Sequence, residues 1–235
     1  EDCLYLNIWV PREGEGPFPV AVWYHGGAYV GGFCSEMAFD GEAYAKRGVI
    51  LVTVGYRLGL LGFLAHPALH ERDGRSGNYG MLDQIAAIDW VRENIAAFGG
   101  NPDLITIMGQ SAGAMSVRTL ISSPLMQGKV QRAIIQSGGG YKSPLPVNTM
   151  PMETLENAVA AAMEAQGLTL AELYKKSAPE IIAMQMVLWQ SVAAATGQML
   201  PFCPQVDGYC LTKTCDQVLE DGEQLHIPYL IGSNQ

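Results

Sequence analysis

The sequence predicts an α/β fold in which a mostly parallel sheet carries helices on both faces. Short apolar segments alternate along the chain with segments of helical periodicity. The central apolar segments are rich in β-branched residues, as buried parallel strands usually are. The length of 235 residues is sufficient for one sizeable hydrophobic core. We therefore expect one domain rather than several.

The first half of the chain contains four predicted strands. They are Leu4–Val10, which alternates like a half-exposed strand, and the apolar runs Val20–Tyr24, Val49–Val54 and Leu104–Met108. Between the third and the fourth, Met81–Phe98 places its apolar residues on one helical face. Gly99 and Gly100 should end this helix, and 101–103 (Asn-Pro-Asp) should turn the chain into the next strand.

The second half begins with a further predicted strand, Val130–Gln136, and then changes character. Residues 154–196 have helical patterns, with capping boxes at Thr169/Glu172 and Ser177/Glu180, before strand character returns at Ile227–Ile231. We predict a core formed by 1–140 and 205–235 with a helical insertion at 141–204. The insertion either shapes the mouth of a pocket or is a purely structural layer.

Composition excludes several classes of function. With 14 basic and 23 acidic residues, the net charge is −9, so neither nucleic acid nor an anionic membrane is an expected partner. The longest apolar stretch, Val49–Ala65, is interrupted by Arg57 and three glycines and does not read as a membrane span. The five cysteines have no metal-binding or C-x-x-C spacing. We expect free or buried thiols, no metal and no cofactor.

Residues 109–113 read Gly-Gln-Ser-Ala-Gly and lie between the strand Leu104–Met108 and a predicted helix, Ala112–Leu120. A G-x-S-x-G turn in this position exposes the serine hydroxyl, and its glycines allow close backbone approach. The pattern predicts a serine hydrolase in which Ser111 is the nucleophile. The alternative is an ordinary buried serine in a glycine-rich turn.

A second glycine-rich segment, His25–Gly32, follows the strand Val20–Tyr24. At this position of an α/β-hydrolase, such a loop directs backbone N–H groups at the carbonyl oxygen of the substrate. We therefore assign Gly27 and Ala28 as oxyanion donors, together with Ala112, which follows the nucleophile. His25 is expected to orient this loop.

The base and the acid of a triad are harder to assign within the sequence. In hydrolases of this type the order is serine, acid, histidine, and His226 is the one histidine after Ser111. It precedes its strand whereas Ser111 follows its own, so His226 should lie about 16 Å from the edge of the sheet at which Ser111 lies. Asp207, in a Pro/Gly-rich loop, is expected to cap a turn. We expect both triad partners to lie outside this chain.

Several motifs together resemble the type B carboxylesterase family, which contains the cholinesterases and bacterial para-nitrobenzyl esterases. The matching segments are 1–7 (EDCLYLN), 25–28, 56–59 (YRLG) with 62–63, 77–80 (GNYG) with 83–84, 98–103, Ser111, 136–138, 204–208 and 227–234. The resemblance covers most of the chain except the predicted helical insertion.

The resemblance implies an α/β-hydrolase fold that is incomplete at both ends, with Ser111 acylated and Gly27, Ala28 and Ala112 as oxyanion donors. It also implies a triad Glu shortly after Gln235 and a His much later. Gln110 stands where the family usually has Glu, which implies a weaker preference for cationic esters. Arg57 and Asp83 should form a buried ion pair.

The leading hypothesis is a carboxylic ester hydrolase with a Ser-Glu-His triad that acts on a small-molecule carboxylic ester. The main alternative is a non-catalytic, cholinesterase-like binding or adhesion module, and a lipase or peptidase on the same fold is a third. The 235 residues alone should turn over little, because loss of a triad base costs about 10⁶ in kcat. The sequence leaves the ester, the compartment and the oligomeric state open.

Overall fold

The computed structural model describes residues 2–143 and 150–234. Within them the strands are β1 (Leu6–Trp9), β2 (Phe18–Tyr24), β3 (Ile50–Val54), β4 (Gly100–Gln110), β5 (Arg132–Gln136) and β6 (Tyr229–Gly232). The helices are α1 (Glu42–Ala45), α2 (Gly59–Phe63), α3 (Pro67–Asp73), α4 (Tyr79–Asn94), α5 (Ala112–Ile121), α6 (Met152–Ala165), α7 (Leu170–Leu173), α8 (Ala178–Thr196) and α9 (Cys215–Glu220). Short 3₁₀ turns occupy Met37–Phe39, Ile95–Phe98 and Pro124–Met126. Residues 144–149 of the predicted insertion lie outside the described residues.

The strands form one sheet in the order β1-β3-β2-β4-β5-β6 within the described part of the chain. Only the pairing of β1 with β3 is antiparallel, and β2, β3, β4, β5 and β6 run parallel. In the centre, Val22 pairs with Val52 on one side and Ile107 on the other. This confirms the predicted mostly parallel sheet.

Other elements pack on both faces of the sheet. Successive side chains of a strand point to opposite faces, so each strand contributes to both contacts. Val22 and Tyr24 belong to the main core, which also contains Ile88 of α4 and Val117 of α5. On the opposite face Trp23 packs on Phe39 with ring centroids 5.1 Å apart, close to α1. The predicted placement of helical elements on both faces is therefore confirmed.

The helical region after β5 starts its last two helices as the sequence predicts. The Glu172 carboxylate accepts the Thr169 N–H at 2.8 Å, and the Glu180 carboxylate accepts the Ser177 N–H at 2.8 Å. Each bond satisfies an amide that the first turn of a helix leaves without a partner. Helix α8 then packs against both α6 and α2, which brings this region to the sheet domain.

The sequence predicts a turn at 101–103 before the strand, but the structure includes these residues in β4. Strand β4 starts at Gly100, which pairs with Phe18, whereas the next pair joins Val20 to Ile105. Four residues of β4 therefore bulge between two rungs of the ladder. The Asn101 side chain accepts the Asp103 N–H at 2.9 Å inside this bulge. The prediction of a local turn at these residues is confirmed, but the prediction that the turn precedes the strand is wrong.

Other predicted boundaries shift by a few residues. The predicted helix Met81–Phe98 begins at Tyr79 and changes to a 3₁₀ turn after Asn94. Strand β6 begins at Tyr229 because Pro228 has no N–H to donate, although its carbonyl accepts from Ala133 at 3.1 Å. Such end effects depend on tertiary pairing and not on local pattern.

The predicted ion pair between Arg57 and Asp83 is confirmed. The Asp83 carboxylate accepts the Arg57 backbone N–H at 3.0 Å and two guanidinium N–H groups at 2.8 and 2.7 Å. The side chain of Asp83 is 4% exposed and that of Arg57 is 36% exposed. The pair fastens the segment before α2 to α4.

Asp83→Asn should lower the free energy of unfolding by about 2–3 kcal/mol, because it removes the charge that compensates Arg57 and one of its acceptors. The partial exposure of Arg57 keeps the loss below that of a fully buried pair. Urea denaturation at pH 7 measures it.

Asp89→Asn is the matched control. Asp89 pairs with Lys129 at 2.6 Å, but its side chain is 44% exposed, so less than about 1 kcal/mol should be lost. Equal losses in the two variants would contradict the proposed weight of the Arg57–Asp83 pair.

Candidate active site

Ser111 lies between the end of β4 and the start of α5 in a backbone conformation that L-residues rarely adopt, with φ 55° and ψ −125°. Its N–H donates to the carbonyl oxygen of Gln136 at 3.0 Å, and its own carbonyl accepts from Met115 at 2.9 Å. The sheet and the helix thus hold the residue from both sides. Backbone strain of this kind persists only where the surroundings fix it.

The backbone on either side of Ser111 leaves no room for a side chain at Gly109 or Gly113. A methyl group at Gly113 would lie 1.9 Å from the Tyr24 carbonyl oxygen, and one at Gly109 would lie 2.4 Å from the Gly113 carbonyl carbon. Contacts between a Cβ and the backbone are never this short. The elbow, defined as Gly109–Gly113, therefore packs backbone against backbone on the end of β2.

The donor loop, defined as His25–Gly32, folds into a tight turn after β2. Gly27, Ala28 and Tyr29 have φ angles of 110°, 54° and 62°. The N–H groups of Val30 and Gly31 both donate to the Gly27 carbonyl at 3.0 Å. Positive φ at two residues other than glycine is costly, so contacts around the loop must stabilise it.

The donor loop runs directly against the elbow. A methyl group at Gly26 would lie 3.2 Å from the Cβ of Ser111 and 2.9 Å from the carbonyl oxygen of Gln110. Gly27 is exposed, and both Ala28 and Ser111 are half-buried. Ala112 is buried and provides the first amide of α5, which has no acceptor within the helix. Through Gly26, the donor loop thus lies against Ser111, which Ala112 follows at the start of α5.

His25 holds the donor loop from inside the protein. Its side chain is buried, and its Nδ1 lies 2.8 Å from the Gly26 carbonyl oxygen. Because a carbonyl can only accept, Nδ1 must carry the proton. Burial lowers the pKa of His25, so the ring stays neutral at pH 7. It stacks on Tyr56 at 4.6 Å, and the Tyr56 hydroxyl donates to the His25 carbonyl at 2.8 Å.

A buried polar network lies beneath both the loop and the elbow. The hydroxyl of Ser116 is 3.0 Å from the Ala112 carbonyl oxygen and 3.5 Å from the Tyr29 hydroxyl. The Gln84 side-chain amide donates to Ser116 at 2.9 Å, and the Tyr24 hydroxyl donates to the Gln84 carbonyl at 3.0 Å. This network joins the donor loop, α5, α4 and β2.

The sequence reasoning did not single out Tyr29 or Ser116. A local signal for Ser116 existed, since it is a polar residue on a helix whose other residues are almost all buried and apolar. For Tyr29 there was no comparable signal, because only the tertiary packing shows that its ring turns inward.

His66 and His70 make hydrogen bonds away from the elbow. The Nδ1 of His66 accepts the Ala68 N–H at 3.1 Å and caps α3, while His70 binds Glu156 at 2.9 Å. His226 precedes β6, whose carboxyl end lies level with the end of β4. Within residues 2–143 and 150–234, no histidine or carboxylate is hydrogen-bonded to the Ser111 hydroxyl.

Asp207 has the turn-capping position expected from its loop. Its Oδ1 accepts the N–H groups of Tyr209, Cys210 and Leu211 at 3.0, 2.7 and 3.0 Å. Three backbone donors on one oxygen explain the residue structurally and leave it no role at the elbow.

Among the described residues, no three His, Cys, Asp or Glu side chains are grouped so that they could hold a metal ion. No described helix is both long and apolar enough to span a membrane. Cys3 is exposed and Cys34 is half-buried, whereas Cys203, Cys210 and Cys215 are buried.

Gly26→Ala should destabilise the protein by about 1–3 kcal/mol, because the new methyl group would press the donor loop away from Ser111. Gly31→Ala is the control in the same loop, since a methyl group there meets no atom within 4 Å. Thermal unfolding of both variants measures the difference. A Gly26→Ala protein as stable as Gly31→Ala would show that the loop does not press on the elbow.

Comparisons with known proteins agree with this geometry. The model of the carboxylesterase family matches residues 1–235. The chain is 40% identical over 240 residues to fumonisin B1 esterase of Sphingopyxis macrogoltabida and 38% identical over 239 residues to para-nitrobenzyl esterase of Bacillus subtilis (strain 168). In both cases all of this chain is covered, but it spans only 42% and 47% of those proteins.

The solved structures lead to the same family. A thermophilic PNB esterase superimposes with a TM-score of 0.85 at 37% identity, covering 100% of this chain and 47% of that one. A carboxylesterase of Geobacillus stearothermophilus gives a TM-score of 0.75 at 36% identity and covers 99% of this chain and 47% of that one. The fold is that of the α/β hydrolases, and the chain belongs to the carboxylesterase family.

Proposed function

We propose that the protein hydrolyses small carboxylic esters and that Ser111 is its nucleophile. The observation that carries the proposal is the contact between the donor loop and the elbow, where Gly26 approaches Ser111. This contact brings a strained, half-buried serine against the loop whose amides are proposed as oxyanion donors. An acyl-transfer site requires this combination of a nucleophile and preorganised donors.

The reaction has two stages. The Ser111 Oγ bonds to the ester carbonyl carbon as its proton passes to a general base, and the carbonyl oxygen becomes an oxyanion. Collapse of this intermediate breaks the bond to the alcohol, which leaves with that proton and gives an acyl-serine. Water then attacks the acyl-serine by the same steps and releases the carboxylic acid.

The oxyanion is assigned to the backbone N–H groups of Gly27, Ala28 and Ala112. Amides held rigidly by the fold do not reorganise when the charge develops, and each typically contributes about 10² to 10³ in rate. The geometry of Gly27 and Ala28 supports the assignment, since their unusual φ angles turn this part of the backbone away from the ordinary strand path.

The triad is proposed to be Ser-Glu-His. In this proposal the base and its acidic partner come from sequence that follows Gln235, as the family resemblance implies. Among the described residues, none of the four histidines is hydrogen-bonded to the Ser111 hydroxyl, which supports this, because a general base must lie within hydrogen-bond reach. His25 contributes by fixing the donor loop and not by moving protons.

In the full-length protein, a fluorophosphonate probe should form a covalent adduct with Ser111, since its phosphorus accepts the same attack and releases fluoride. Ser111→Ala should abolish labelling, and Ser191→Ala on α8 should leave it unchanged. Peptide mapping by mass spectrometry locates the adduct. An unlabelled Ser111 in the folded full-length protein would refute the hydrolase and favour a non-catalytic binding module of the same fold.

Gln110→Glu should shift selectivity toward cationic esters. The side chain at position 110 is exposed at the carboxyl end of β4, next to Ser111, so a carboxylate there would attract a positively charged alcohol group. We expect the ratio of kcat/KM for a cationic over a neutral ester of the same acyl group to rise about two- to fivefold at low salt.

Gln190→Glu, which adds the same charge at an exposed position on α8, is the control and should leave the ratio unchanged. The effect of Gln110→Glu should weaken as salt is added, because exposed charges are screened. A selectivity ratio that stays constant in Gln110→Glu would count against a substrate alcohol group near this side chain.

A further inference from the structure

Helix α2 begins directly behind the donor loop. The N–H of Gly59, its first residue, donates to the carbonyl oxygen of Tyr29 at 2.6 Å. Tyr29 directly follows Ala28, which is a proposed oxyanion donor. The position of the Ala28 peptide is therefore tied to the position of the first turn of α2.

The side chain of Gln185 reaches this first turn from α8. Its Oε1 accepts the N–H of Leu60 at 3.2 Å, and its side chain is almost completely buried. A methyl group at Gly59 would lie only 1.6 Å from the same oxygen, and Gly59 has a φ of +52°. The glycine thus makes room for the glutamine as well as permitting the turn.

These two contacts satisfy amides that a helix cannot satisfy by itself, because its first N–H groups have no acceptor in the preceding turn. The Gly59 N–H holds the donor loop, and the Leu60 N–H is held by Gln185. If the Gln185 acceptor is removed, the buried Leu60 N–H loses its partner, and an unsatisfied buried donor drives the turn to rearrange. Any such movement of α2 shifts the Gly59 N–H that holds Tyr29.

We infer that Gln185 is a positioning residue for the oxyanion donors, acting through Leu60 and Gly59 on the donor loop. The inference rests on the proposed function of Ser111 and the loop. It also gives the helical region a role in the reaction, since α8 belongs to the segment after β5 and not to the sheet. Gln185 touches neither the substrate carbonyl nor Ser111 in this scheme.

Gln185→Met tests the inference in the intact protein. Methionine is unbranched and of similar length, but it offers no oxygen to Leu60. With 4-nitrophenyl acetate, kcat should fall about tenfold while KM stays within about twofold, because small displacements of catalytic groups affect the transition state more than ground-state binding. Gln190→Met, the same change at an exposed position of α8, should match the wild type.

Gln185→Glu is the rescue variant. Burial favours the neutral carboxyl group over the carboxylate, and the neutral group keeps an acceptor oxygen for the Leu60 N–H, so kcat should return to within about threefold of the wild type. A purely structural role for Gln185 predicts instead that both Gln185 variants lose thermal stability and activity together. That outcome, or a wild-type kcat in Gln185→Met, overturns the inference.

Hydrogen exchange gives a readout that does not depend on activity. Peptides covering 26–31 and 57–62 should exchange faster in Gln185→Met than in Gln190→Met, and unchanged exchange overturns the inference even if kcat falls. If Gln185→Met does not fold, Gln185→Asn, whose acceptor is one methylene shorter, takes its place with the same expectations. A wild-type protein that neither hydrolyses the ester nor labels at Ser111 refutes the proposed function itself.

Discussion

The close approach of three backbone segments at Gly113 is the constraint on which the site depends. The end of β2, the end of β4 and the start of α5 meet where a methyl group at Gly113 would lie 1.9 Å from the Tyr24 carbonyl oxygen. Side chains cannot occupy this junction, so it is rigid and compact. The donor loop starts one residue after Tyr24, and Ser111 lies two residues before Gly113. The junction therefore brings the start of the donor loop close to Ser111 through backbone contacts.

A rigid junction also explains how the strained residues are tolerated. Ser111, Ala28 and Tyr29 all have positive φ, and each costs of order 1–3 kcal/mol. This energy must be offset by contacts that exist only in the native fold. The stacking of His25 on Tyr56 and the buried hydroxyl contact between Tyr29 and Ser116 are such contacts. The buried polar contacts thus help to offset the backbone strain at the site.

Local patterns were sufficient to predict most strands and helices and the elbow, because these depend on the spacing of apolar residues and glycines. The bulge at 101–103 was mistaken for a free turn, since its inclusion in β4 depends on pairing with Phe18 across the sheet. The contacts that shape the donor loop were harder still. Gln185 meets Leu60 over 125 residues of sequence. No local pattern predicts such a contact. Among the long-range contacts of this region, the ion pair Arg57–Asp83 was predicted, and that prediction came from the family resemblance.

The segment that links β3 to α2 shows why a short motif can be required as a unit. Residues 56–60 make contacts in succession: the Tyr56 hydroxyl binds the His25 carbonyl, Arg57 binds Asp83, and the Gly59 N–H binds Tyr29. The first and third contacts hold His25 and Tyr29 of the donor loop, while the second anchors the segment to α4.

Arg57 lies between Tyr56 and Gly59 in the sequence, so the Arg57–Asp83 pair restrains the segment from which both residues hold the donor loop. The ion pair is thereby part of the support of the donor loop. This accounts physically for a Tyr-Arg-Leu-Gly sequence that carries no chemistry of its own.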